Sequence, residues 1–301
     1  MNWPALEYPQ WQDTCETLHM IAQIVGKTRL AFAPHQNQFW ESAMYVTARG
    51  LTTSSVPYAD GIFDIEIDLV GHELVIRTSK GEERKIALRP HPVAEFYNEY
   101  KQALHELRID PKLWSMPVEV VDPIPFSQDT THRQYDGEAV TRFFQVLVNL
   151  DTLFKQYRAE FQGKSSPVHF FFGSFDLAVT RFSGQRAPER PGADLVTKEA
   201  YSHEEISCGF WPGSPSFPRA AFYAYAAPEP PGLKDRQVQP AAARYDTTLN
   251  EFILFYDDVR TSTTPEQDVL NFCRSVYASA AELGGWDRAA LDYTPAKRAV
   301  A

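Results

Sequence analysis

Phe63, Ile65, Ile67 and Leu69 alternate with Asp64, Glu66 and Asp68. A period of two puts the apolar set on one face of an extended strand and the acidic set on the other. Such a segment needs a sheet with one packed face, so this run constrains the fold more than any other in the chain. Its acidic row is expected to face water. A metal site there would need further ligands converging on it, and the sequence shows none. Gly71-His72 turns the strand into Leu74-Val-Ile-Arg-Thr, and Lys80-Gly81 turns that into Lys85-Ile-Ala-Leu. Strand and turn repeating in this way predict an antiparallel meander.

Four long helices are expected around the sheet. Trp11, Cys15, Leu18, Ala22 and Val25 recur at steps of four and three. That spacing predicts a helix over 10–25, with Gly26 as its stop. His19 and Gln23 lie one turn apart on another face, as a polar site or a solvated or packed pair. Pro92 opens a second helix over 92–108, with Val93, Phe96, Tyr100, Ala103, Leu104 and Leu107 as its apolar face. The longest, 137–162, has Asp136 as cap and Gly163 as stop. The last starts at Thr264-Pro265-Glu266-Gln267, which has the spacing of a capping box, and ends at Gly284-Gly285. Further strands are expected over 40–50, 117–121, 168–182, 206–211, 221–227 and 251–256. The fold class is α+β: mostly antiparallel sheet flanked by four long helices.

The proline-rich, polar segment from Asp122 is the best internal boundary. It divides the chain into a first α+β half (1–121), a connection (122–136), a second half (137–293) and a frayed tail (294–301), with the halves sharing one core. Phe39-Trp-Glu-Ser and Arg49 match Phe171-Phe-Gly-Ser and Arg181 at identical spacing. Val93, Phe96, Ala103, Glu106 and Leu107 match Val269, Phe272, Ser279, Glu282 and Leu283. These matches raise an internal duplication of a helix–strands–helix unit, against chance and the periodicity that amphipathic helices share.

Of the 301 residues 44% are hydrophobic and 13% aromatic, enough for a packed core. A net charge of −10 argues against a general nucleic-acid binder or docking on anionic membranes. Cys15, Cys208 and Cys273 lie far apart without a CxxC pair, a poor fit to a disulfide framework or zinc-thiolate site. The start, Met1-Asn-Trp-Pro, lacks a signal-peptide pattern, and no apolar run approaches the roughly 18 residues of a spanning helix. The sequence therefore reads as soluble and cytoplasmic. It leaves the oligomeric state open.

Pro167–Gly213 sets the most aromatics beside the most ionisable groups. Read as one strand, 168–182 puts His169, Phe171, Phe175, Leu177, Val179 and Arg181 on a core face. Phe170, Phe172, Ser174, Asp176, Ala178, Thr180 and Phe182 take the other. A carboxylate against apolar rings has a raised pKa and acid–base use, so Asp176 is a catalytic candidate. A solvated or arginine-paired carboxylate is the plainer reading. His203 and Glu204, just before a strand, are its candidate catalytic partners, with a surface turn as the alternative. Phe172, Arg181, Trp211 and His169 are ligand-binding candidates. His169 faces away from Asp176 unless Gly173 forms a bulge, which weakens a metal cluster, and no metal is assigned. Cys208 reads as a buried inert thiol, or as a partner of His203 in a nucleophile pair. Arg181, Arg186 and Arg190 are anion-binding candidates.

The chain has no GxGxxG, Walker loop or GxSxG, so no cofactor is expected. The leading expectation is binding of a small molecule in an aromatic-lined pocket around 169–211, with no nucleic-acid or membrane partner. The alternatives are an acid–base or metal-assisted hydrolase-like enzyme using Asp176, His203 and Glu204, and a structural or interaction protein without a site.

Tyr45-Val-Thr-Ala-Arg-Gly-Leu-Thr-Thr-Ser, Pro117-Val-Glu-Val, Asp122-Pro-Ile-Pro-Phe, the 167–184 run and Ser202-His-Glu-Glu-Ile-Ser-Cys-Gly-Phe-Trp-Pro-Gly are distinctive. Together they resemble an uncharacterised bacterial domain-of-unknown-function family, number five-nine-nine-six. The resemblance covers nearly the whole chain and implies a bacterial protein forming one complete unit. It carries over no activity, cofactor or catalytic residue.

Overall fold

The helix expected over 10–25 continues straight through Gly26. In the computed structural model, which describes residues 1–293, helix α1 spans Tyr8–Phe32. Gly26 is there for close approach. A Cβ at that position would lie 2.0 Å from Cδ1 of Phe172, whose ring packs against the helix backbone. Alanine in place of an exposed helical glycine gains about 1 kcal/mol. Here the overlap reverses the sign, and Gly26→Ala is expected to cost about 1–3 kcal/mol. Urea unfolding measures it; a higher midpoint in the variant would show that the ring moves aside freely.

After α1 and a 3-10 turn at Asn37–Ser42 come β1 (Ala43–Val46), β2 (Gly50–Thr52), β3 (Val56–Tyr58), β4 (Gly61–Asp68), β5 (Glu73–Thr78) and β6 (Glu83–Ala87). Helix α2 (Val93–Glu106) and helix α3 (Gly137–Ala159) follow. The second half adds β7 (His169–Phe171), β8 (Asp176–Arg186), α4 (Leu195–Ala200), β9 (His203–Trp211), β10 (Ala221–Ala227), β11 (Arg244–Asp246) and β12 (Glu251–Phe255). It ends with α5 (Tyr256–Arg260), α6 (Pro265–Leu283) and α7 (Arg288–Leu291). The expected tail from Thr294 lies outside the described residues.

All 12 strands form one sheet, ordered β11-β12-β10-β9-β8-β7-β1-β2-β4-β5-β6, with β3 lying in line with β2 along β4. Neighbouring strands are antiparallel, and the four long helices make the fold α+β. The halves meet where β1 pairs with β7, Met44 opposite Phe170. Counting outward from that pair, each half runs helix, meander, helix: α1, β1-β2-β4-β5-β6, α2, then α3, β7-β8-β9-β10-β12, α6. The two helices matched in sequence, α2 and α6, hold corresponding places. The two matched tetrapeptides do not, because Phe39–Ser42 is mainly the 3-10 turn before β1 whereas Phe171–Ser174 ends β7 and turns. Arg49 sits in the β1–β2 turn and Arg181 in the middle of β8.

The four long helices pack on one face of the sheet. Leu177 and Val179, Ile206, Cys208 and Phe210, Phe222 and Ala224, and Phe252 and Leu254 join them in one apolar core that draws on both halves. The opposite, outer face carries a second cluster: Ala178, Ala221, Tyr223, Ile253 and Phe255.

Some expected details change. The 40–50 segment is a turn, a short strand and a hairpin bend, since Gln38 and Phe39 take left-handed backbone. Residues 117–121 are not a strand. The Gln23 side chain bonds both backbone groups of Val118, donating to its O at 2.7 Å and accepting from its N at 2.8 Å, in place of a neighbouring strand. Glu66 and Asp68 are buried rather than solvated, held by Arg77 and Thr47 and by Arg49 with two backbone N–H groups. Asp136 caps α3 by accepting from Glu138 and Ala139 N–H, whereas the Thr264 side chain makes no cap bond to α6.

A candidate cavity between the first helix and the hairpin turn

The run 168–182 is a hairpin, not one strand. Phe171 and Asp176 are opposite each other across β7 and β8, with Phe172–Phe175 as the turn. Phe175 takes left-handed backbone (φ 57°), and its N–H closes the turn on the Phe171 carbonyl at 2.9 Å. The turn reverses the expected parity. His169 and Phe171 share the outer face with Asp176, Ala178 and Thr180, because residues opposite each other in an antiparallel pair point the same way. Gly173 and exposed Ser174 are its only turn signal, and the aromatics on either side are buried: Phe172 on Gly26, and Phe175 against His19 and stacked on Phe143.

Beside this turn lies a cavity of about 150 Å³. Helix α1 supplies Glu16 and His19, the irregular segment 117–124 supplies Glu119 and Asp122, and Ser174, His132 and Ser214 complete its polar lining. Glu119, Asp122 and Phe175 all line it with left-handed backbone, at φ 56°, 50° and 57°. Non-glycine residues held there store strain, and such strain clusters where sites are shaped.

The lining groups are fixed from behind. Asp129, fully buried, accepts N–H bonds from Thr131 and His132 and a hydrogen bond from His132 Nδ1 at 2.7 Å. Nε2 of His132 is left 3.7 Å from Glu16 Oε2 and forms no hydrogen bond among the described residues. The bond to Asp129, with the Asp129 and Glu16 charges, raises the His132 pKa despite partial burial. Glu16 in turn accepts from Tyr8 Oη at 2.9 Å and Gln12 Nε2 at 2.8 Å, both on its Oε1. His19 Nε2 donates to the Gly173 carbonyl at 2.8 Å, and burial lowers its pKa to about 4, so it is neutral. Glu119 lies over Gly173, where a Cβ would come 2.4 Å from its Oε1; burial and the nearby Asp176 raise its pKa.

Asp176 touches this cavity through Ser174, which donates to Oδ1 at 2.5 Å, while Tyr223 donates to Oδ2 from the outer face. Burial pushes Asp176 up to about 6 against those two bonds. His203 is elsewhere. It pairs with Arg186 at the far end of β9, so roughly 26 Å of strand separates the two, at about 3.3 Å per residue. Glu204 accepts from Ser183 at 2.8 Å at that same far end. Asp176, His203 and Glu204 therefore do not form one acid–base site, because the β8–β9 pairing is antiparallel along its whole length. Cys208 and His203 are no nucleophile pair either: Cys208 is buried on the helix face near Tyr157 and the Cys273 carbonyl.

The ligand-binding candidates also scatter. Phe172 is in the turn, against α1. Trp211 stacks on Tyr223 at 4.4 Å on the outer face. His169 is buried among Trp40, Tyr45 and Phe171 with both ring nitrogens unpartnered, and burial lowers it to about 3. Arg181 is on the helix face under Tyr157 and Tyr277. What the sequence reading missed is Asp129 and His132, three residues apart in the connection; the Asp-x-x-His spacing was the available signal.

Among the described residues no group of three or more His, Cys, Asp or Glu side chains is arranged to hold a metal ion. No helix among them is long and apolar enough to cross a membrane. The three cysteines are free.

Fold and cavity together define an α+β protein built on one wide antiparallel sheet, with a small cavity between its first helix and the β7–β8 turn. The chain belongs to the family of unknown function DUF5996, whose model matches residues 3–293. No curated protein and no solved structure matches it.

Proposed function

We propose that the protein binds a small polar molecule in the cavity beside α1, with His132 as the group that engages it. One observation carries this reading: an imidazole clamped by a fully buried aspartate, with its second nitrogen at the cavity wall, 3.7 Å from Glu16 and without a hydrogen bond among the described residues. Clamping fixes the direction of Nε2 at little entropic cost, as an acceptor when the ring is neutral and a donor when it is protonated, the preorganisation that small-molecule sites use. Glu16 and Glu119 line the same cavity and supply acceptors. A compound carrying both acceptor and donor groups, such as a hydroxy acid, amino acid or polyol, fits that lining. The Asp129–His132 pair also suits general acid–base chemistry on the bound molecule, since a carboxylate that orients an imidazole is what such catalysis requires.

A thermal-shift panel of hydroxy acids, amino acids and polyols tests the reading. A ligand at about 100 times its Kd stabilises the protein by about 2.7 kcal/mol. At least one compound is expected to raise the melting temperature of the wild type and to lose that effect in His132→Gln. Equal shifts in both proteins, or no shift with any compound, would count against it.

A further inference from the structure

The outer face carries a second arrangement, at the end of β9 remote from the cavity. Glu205 on β9 lies opposite Ala227 on β10, and Tyr225 lies opposite Ser207. The next pair beyond Ala224 and Phe252 sets Tyr225 against Glu251 of β12. Glu205, Tyr225 and Glu251 thus occupy neighbouring outer-face positions on three adjacent strands. The Tyr201 hydroxyl comes within 3.3 Å of the Tyr225 hydroxyl from the segment before β9.

Two carboxylates on this part of the outer face lack partners. Glu205 is 6% exposed, yet among the described residues it accepts no hydrogen bond and joins no ion pair. Oε2 of Glu251 is buried without a hydrogen bond. Buried carboxylates are normally paired, so two incomplete ones on either side of the Tyr225 strand need an account. The cations near Glu205 are committed to rings and amides. Lys164 donates to Gln38 at 2.8 Å and sits over Phe182 and Trp40. Arg190, exposed on the loop before α4, lies over the Tyr201 ring at 4.0 Å. A guanidinium on a tyrosine face beside an unpaired carboxylate is how proteins hold organic cations.

We propose that this tyrosine-lined part of the outer face binds a small organic cation, a primary ammonium or guanidinium group, with Glu205 giving up its proton as the cation enters and serving as its counter-charge. Glu251 and the Tyr201 and Tyr225 hydroxyls flank the cation as acceptors, and Arg190 is the chain's own occupant of the tyrosine face, displaced when the ligand enters. Both carboxylates then gain the partners they lack. The net charge of −10 favours the approach of a cation.

Calorimetric titration with methylguanidinium and with n-propylammonium, using n-propanol as the neutral control, tests the assignment. Either cation is expected to bind saturably, and propanol not at all. Arg190→Ala should bind roughly tenfold tighter, because the internal competitor is gone, and Glu205→Gln roughly tenfold weaker. Should Glu205→Gln fail to fold, Glu251→Gln is expected to weaken binding severalfold. His132→Gln should leave it unchanged, which separates this site from the cavity. Affinity for Glu205→Gln within twofold of wild type, or no saturable binding of either cation to Arg190→Ala, would overturn the proposal.

Discussion

Arg181→Ala is expected to destabilise the protein by about 3–5 kcal/mol, the range for opening a buried charged or large side chain. Arg181 is 2% exposed, on the helix face of β8. Its guanidinium lies 3.6 Å from the centre of the Tyr157 ring, 4.4 Å from Tyr277 and 5.1 Å from Phe161. It donates to the Tyr157 carbonyl and lies 4.0 Å from Glu160, which Arg274 also holds. One side chain therefore ties β8 to α3 and α6. Alanine removes three cation–ring contacts, strips a donor from a buried carbonyl and leaves a void between the two helices. Arg181→Met separates volume from charge: it fills most of the space and should cost clearly less. Chemical unfolding of the three proteins gives the values. A loss below about 1 kcal/mol for alanine would mean that the helices close over the gap.

That role also shows why the residue was read differently from sequence. An arginine at the end of an aromatic strand resembles an anion-binding group, and nothing local reveals that three rings from other elements will surround it. What periodicity governs was legible: the alternation in β4, the meander after it, the four long helices and the cap at Asp136. What depends on a single close approach was not. Gly26 looked like a helix stop because the ring that requires it, Phe172, is far away in sequence. The Phe172–Phe175 turn is hard to read because its Gly173-Ser174 centre is flanked by buried aromatics that continue the apolar run of the strands, and reading through it inverts the faces of β7. Asp176 was correctly seen as a carboxylate among rings, but its partners Ser174 and Tyr223 come from a turn and from a strand two places along the sheet. The Asp129–His132 pair was passed over because it sits in a connection, where irregular backbone hides which side chains converge.

Between pH 6.5 and 8 the protein is expected to lose about 2–3 kcal/mol of stability, at about 1.4 kcal/mol per pH unit for each proton that only the folded state retains. The cause is the outer-face carboxylates. Burial raises Glu205 to about 8, against the attraction of Arg190 and Lys164, and raises Glu251 to about 7 with help from the Asp176 and Asp246 charges. A folded-state pKa above the unfolded value means that the stabilisation is complete below the unfolded value. It is lost as pH rises through the folded one. Asp176, at about 6, has spent most of its contribution before this window opens. The two buried histidines act in the opposite sense, with His19 at about 4 and His169 at about 3, but mainly below the ordinary histidine value of 6.5. The protons their unfolded forms still hold at pH 6.5 are gone within about a pH unit above it, so they offset only the start of the loss. His132, raised by its bond to Asp129, adds to the loss. Urea midpoints measured across the window should fall steadily in the wild type. Glu205→Gln keeps the shape of the side chain without its ionisation, so its profile should be much flatter over the same range. A wild-type profile as flat as that of Glu205→Gln would mean that Glu205 is already ionised in the fold at neutral pH.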